Sequence, residues 1–105
     1  NRGTWEVVME IEEVKKKVGE IIKQELAGTS NTAFFFGSRI AGTASPRSDL
    51  DVGIDGHEAP SAEIIRSIKS RCDSLRTLYT IDIVDFSTAA PDFKKVAKEH
   101  VEKIV

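Results

Sequence analysis

The spacing of apolar residues changes period several times along this chain, and each change marks a predicted element. Over residues 4–27, Val7, Ile11, Val14, Val18, Ile21, Ile22 and Leu26 recur at helical intervals and form one stripe. This predicts an amphipathic helix with Thr4 as N-cap, Glu6 in the first turn and Gly28 as its stop. Lys15, Lys16 and Lys17 read as its solvated face. Residues 33–36 are a short, wholly apolar run of strand length. Residues 49–54 alternate strictly: Leu50, Val52 and Ile54 point one way, Asp49, Asp51 and Gly53 the other.

A second helix is predicted over residues 61–75, with Ser61 as N-cap and Ile64, Ile65, Ile68, Cys72 and Leu75 as its stripe. Residues 78–86 read as a third strand. Pro91 and Asp92 open a last helix carrying Phe93, Val96, Ala97, Val101 and Ile104. The order helix, strand, loop, strand, helix, strand, helix is an α/β (α+β) pattern, a small mixed sheet covered by helices. The stretch between Ile54 and Leu78 has room for a helical crossover, so one parallel strand pair is expected.

Length and composition narrow the classes. The 105 residues suit one domain, 1–105, and are too few for two. Net charge is −2, with no basic footprint, so direct nucleic-acid binding is not expected. No apolar run approaches the roughly 20 residues of a membrane helix. One cysteine and no charged-then-apolar leader suggest a cytoplasmic protein, and the start at Asn1 suggests a piece of a longer chain.

The chemistry concentrates between Gly37 and Val52. Asp49 and Asp51 stand two apart, on one face of a strand, with Cβ atoms roughly 6–7 Å apart. Two such anions repel, and a divalent cation between them removes the penalty. Mg²⁺ favours one or two carboxylates, waters and phosphate oxygens. A third carboxylate, Asp82, interrupts the apolar run Ile81-Asp82-Ile83-Val84, where a bare Asp is costly unless paired or metal-bound. Asp85 competes for that role but lies near the strand end, where an exposed Asp is ordinary. Gly37 lets backbone approach a phosphate, and Ser38 offers a hydroxyl and an N–H. A Walker A loop is absent. An EF-hand starting at Asp51 fails, with Gly53 at position 3 and Ala62 at position 12.

Gly37-Ser38, then Asp49-x-Asp51, then Asp82 among apolar residues resembles the signature of the DNA polymerase beta-type nucleotidyltransferase superfamily. The short length is similar to its minimal nucleotidyltransferase (MNT) branch, often the antitoxin of HEPN/MNT toxin–antitoxin pairs. The resemblance implies a nucleotidyltransferase-like fold and transfer of a nucleoside monophosphate, preferably AMP from ATP, onto a hydroxyl. It implies that Gly37 and Ser38 hold the triphosphate. Asp49, Asp51 and Asp82 would bind two Mg²⁺ ions, for which Mn²⁺ can substitute, and Asp82 can accept the acceptor's proton. Similar sequences often carry Gly-Ser-x-Ala-Arg-Gly; here Ala41 stands where the basic residue is expected, which leaves Arg39 or Arg47 to balance the triphosphate. The implied acceptor is a tyrosine on a helical HEPN partner, with homo- or hetero-oligomers in view. Two rivals are a catalytically silent antitoxin acting by contact and a small-molecule, antibiotic-type nucleotidyltransferase. His57 and His100 read as surface residues, Cys72 as core, and Trp5 is unassigned.

Overall fold

The computed structural model describes residues 10–37, 49–77 and 79–105. Helix α1, Ile11–Leu26, is followed by β1, Thr32–Phe36, β2, Leu50–Asp55, and α2, Ala62–Asp73. Then come β3, Ile81–Asp85, a 3₁₀ turn, Phe86–Thr88, α3, Pro91–Ala97, and the short β4, Glu102–Lys103. The sheet order is β3-β2-β1-β4. β1 runs antiparallel to β2 and β4, while β2 and β3 are parallel and joined by α2. This is the mixed α/β sheet with its expected crossover.

Period-two alternation gives the sheet two unlike faces. Ala33, Phe35, Leu50, Val52 and Ile54 project to one side, where Val14, Val18, Ile22 and Leu26 of α1 and Ile68 and Cys72 of α2 close over them. Burying each large aliphatic side chain here contributes about 1.5–3 kcal/mol. The two helices are tied by Glu25, which accepts from Ser67 Oγ at 2.7 Å and Arg71 Nη1 at 2.9 Å. On the other side, Phe34, Phe36 and Phe86 pack edge to face, with centroids 5.0–6.0 Å apart. Gly53 makes room for them: a Cβ there would stand 2.6 Å from the Phe34 ring and 2.8 Å from Phe86. α3 crosses this side, held by Lys98 and Lys94, whose ammonium groups lie 2.5 and 3.5 Å from the Asp55 carboxylate.

Local signals were obeyed where they were strongest. Ser61 caps α2, its Oγ accepting from Ile64 N at 3.1 Å. Gly28, at φ +82°, follows the end of α1. The Thr4 cap, Trp5 and the predicted strand start at Leu78 lie outside the described residues.

Three predicted elements are corrected. The first helix does not run unbroken from residue 4: Glu10 is extended, at φ −80° and ψ 162°, and α1 begins at Ile11. The third strand ends at Asp85 rather than Phe86, because the Asp85 carboxylate turns the chain by accepting from Ser87 N at 2.9 Å. The last helix stops at Ala97 instead of running to Ile104. Ala33 then accepts from Ile104 N at 2.9 Å and donates to Val105 O at 3.1 Å, so Ile104 reaches the core from an edge strand. The free edge of β1 needs backbone partners, and that demand outweighs a helical pattern as weak as this one.

Candidate active site

Strand register, more than sequence proximity, assembles the site. Phe36 is opposite Asp51 across β1–β2, and Asp51 is opposite Asp82 across β2–β3. The C-terminal end of β1 therefore meets the N-terminal ends of β2 and β3, and Gly37, Asp51 and Asp82 fall at one end of the sheet. Asp51 and Asp82 share the face opposite α1 and α2, because Leu50, Val52, Ile81 and Ile83 face those helices. Asp49 precedes β2 and is exposed.

Gly37 is required by two independent constraints. Its φ of +89° lies in the left-handed region. An added Cβ would also stand 2.2 Å from Asp51 Oδ2. The Gly37 backbone thus lies directly against the Asp51 carboxylate.

The three carboxylates act on one another. Loss of water raises the Asp51 carboxyl above its ordinary value, and the charges of Asp82 and Asp49 push it further the same way. Desolvation at the sheet surface likewise raises Asp82, followed by its hydrogen bond to Asp49 and that residue's charge, while Lys69 pulls it partly back. Lys69 escaped the sequence reading, since nothing in the period of α2 marks an exposed lysine as a neighbour of β3. Asp85 is occupied elsewhere, its Oδ1 bonded to Ser87. The structure therefore brings Asp49, Asp51, Asp82 and Gly37 together. Ser38, Arg39 and Arg47, with Ala41, lie outside the described residues.

Among the described residues, no three His, Cys, Asp or Glu side chains are already spaced as a ligand set for a metal ion. The donor chemistry of Asp49, Asp51 and Asp82 nevertheless fits a hard divalent cation, being oxygen-only and in excess of negative charge. Desolvation is the larger cause of the rise at Asp51 and Asp82, and a cation would relieve the part that neighbouring carboxylates add. Of the other sequence candidates, His57 and His100 are exposed. Cys72 is buried, its thiol pushed up to about 11 by burial, which keeps it protonated and inert.

Residues 16–105 match the family model described as polymerase beta, nucleotidyltransferase. The chain belongs to this nucleotidyltransferase family. It is therefore a transferase domain of the nucleotidyl-transfer kind. A comparison with the curated proteins found no match. The family match spans all four strands, so it covers every carboxylate of the candidate site. No helix among the described residues is long and apolar enough to cross a membrane.

Proposed function

We propose that this nucleotidyltransferase moves a nucleoside monophosphate, preferably AMP from ATP, onto a hydroxyl group at Asp49, Asp51 and Asp82. The observation that carries the reading is the pairing of Asp51 with Asp82 across parallel strands, beside a glycine pressed against the Asp51 carboxylate. Gly37 lets its backbone lie against the Asp51 carboxylate, and Ser38 would add a hydroxyl and an N–H for a phosphate. Asp49, Asp51 and Asp82 would hold Mg²⁺, or Mn²⁺, which when bound polarises the α-phosphate and offsets the charge of departing pyrophosphate. In the transfer the acceptor oxygen bonds to the α-phosphorus, the bond to the bridging oxygen breaks, and pyrophosphate leaves. Asp82, beside Asp51 in the parallel register, is the carboxylate that would receive the hydroxyl proton.

The acceptor we favour is a hydroxyl, such as a tyrosine, on a helical HEPN-type partner, which makes this chain the antitoxin of a pair. The test is incubation with labelled ATP, Mg²⁺ and the protein encoded beside it, alongside Asp49→Ala/Asp51→Ala. Label that appears on the partner and vanishes with the double variant is the expected result. Partner neutralisation that persists in the double variant, without label, would overturn transfer. That outcome would favour the second reading, a silent antitoxin acting by contact, which rests on Ala41 standing where a cation is expected.

A further inference from the structure

The aromatic cluster beside the carboxylates has one member out of place. Phe86 is completely buried, at 0% exposure, between the sheet and the Phe93 ring. Phe93 stacks on Phe86 at a centroid distance of 5.4 Å and an interplanar angle of 29°. Yet Phe93 itself is 48% exposed. The Phe93 ring covers Phe86 and still leaves about half of the residue exposed. Covering Phe86 needs only an aliphatic side chain, so a parallel, half-exposed ring calls for another account.

The location supplies one. Phe36 is opposite Asp51 in the strand register, and Phe86 packs 5.0 Å from Phe36. The Phe86 ring reaches over Gly53, two residues along β2 from Asp51 and on the face that carries Asp51 and Asp82, and the Phe93 ring is stacked on it. Lys94 of α3 and Lys98 just after it, which could draw an anion to this spot, are already engaged by Asp55. What remains is a flat, uncharged aromatic surface next to a phosphate-binding candidate. We infer that Phe93 is the stacking platform for the nucleobase of the triphosphate whose phosphates lie at the carboxylates. The inference rests on the function proposed above. It extends it by assigning base selection to α3, with purines favoured over pyrimidines because their larger rings cover more of Phe93.

The test is equilibrium binding of Mg²⁺·ATP, Mg²⁺·CTP and Mg²⁺·tripolyphosphate to the wild-type chain, Phe93→Ala, Phe93→Leu and Phe93→Trp. Base stacking on an aromatic ring typically supports a loss of about tenfold in affinity on truncation to alanine. The expected pattern is that loss for ATP in Phe93→Ala, a smaller loss in Phe93→Leu, retention in Phe93→Trp, and unchanged tripolyphosphate binding throughout. Phe93→Leu guards against mistaking an uncovered Phe86 for a lost contact, and tripolyphosphate binding reports an intact site. Equal ATP affinity in all four proteins overturns the platform while leaving the phosphate site standing. A parallel fall for ATP and tripolyphosphate also overturns it. Failure of the wild-type chain to bind either compound removes the phosphate site itself, and the platform with it.

Discussion

The two faces of one four-stranded sheet have been put to opposite uses. Leu50, Val52 and Ile54 of β2 are wholly buried beneath α1 and α2. Asp51, between two of them, turns to the other face and meets Asp82 and the Gly37 backbone. On the first face the buried aliphatic side chains favour the folded chain. On the second, like charges crowd at a cost to folding that a bound cation or a proton offsets. A strand's alternation lets adjacent residues serve stability and chemistry separately, and it predicts that substitutions one position apart have opposite signatures.

The largest contrast should come from Asp51→Asn. Loss of a carboxylate that holds the metal and the phosphates should reduce transfer by about a thousandfold. The same change should raise the thermal midpoint of the metal-free protein, because burial and two neighbouring carboxylates already disfavour the charged form. Activity and melting temperature measured on one preparation check both halves. A variant that is inactive and also less stable would break the comparison. Its mirror is Ile22→Ala, on the covered side of α1, where the residue is 0% exposed. Truncation there should cost about 2–5 kcal/mol in urea denaturation and leave turnover per folded molecule nearly unchanged. That loss is a large share of the roughly 5–15 kcal/mol total stability of a domain.

Much of this division could be read from the chain alone. Strict alternation from Leu50 to Ile54 announced a two-faced strand, and a carboxylate isolated in Ile81-Asp82-Ile83 announced a second one. Their partnership was not legible: parallel register is fixed by α2 and the shared core, far apart in sequence. The preference for Asp82 over Asp85 rested on flanking residues. The structure adds a separate reason, the use of Asp85 to cap the 3₁₀ turn. The Phe86–Phe93 stack was hidden because its members belong to a turn and a short helix whose contacts have no period. β4 was invisible for the same cause, two residues being too few to carry an alternation.

A subtler test lies within the second face. Gly53 holds the Phe34 and Phe86 rings against the sheet, and a Cβ would come within 2.6 and 2.8 Å of them. Gly53→Ala should cost about 1–3 kcal/mol by overpacking, although Ala is the better strand residue. Denaturant midpoints read the effect. A neutral or stabilising result would show that the aromatic cluster is loose, unlike the aliphatic face, and would weaken the case for a rigid ring stack beside the carboxylates.

The smallest effect, and the one that separates the faces most directly, is the dependence of stability on pH without metal. Hydrogen bonds from Ser67 and Arg71 hold the Glu25 carboxyl below its ordinary 4.5, against an opposing effect of burial. Its contribution is fully present above 4.5 and is lost as pH falls through the lower folded value. Asp51 has the reverse sign. Its folded value lies above the ordinary 3.8, so the folded chain binds a proton first, and stability is gained as pH falls through that folded value toward 3.8. Each contribution should be about 1 kcal/mol or less, because water screens both groups. Thermal midpoints followed from pH 7 to pH 3 should therefore fall less steeply on the acid side in Glu25→Gln than in wild type. In Asp51→Asn the gain on entering the acid range should disappear. If both variants shift the profile in the same direction, the two faces do not carry opposite electrostatic signs, and the carboxylates of β2 and β3 are ordinary surface groups rather than a charge store awaiting a cation.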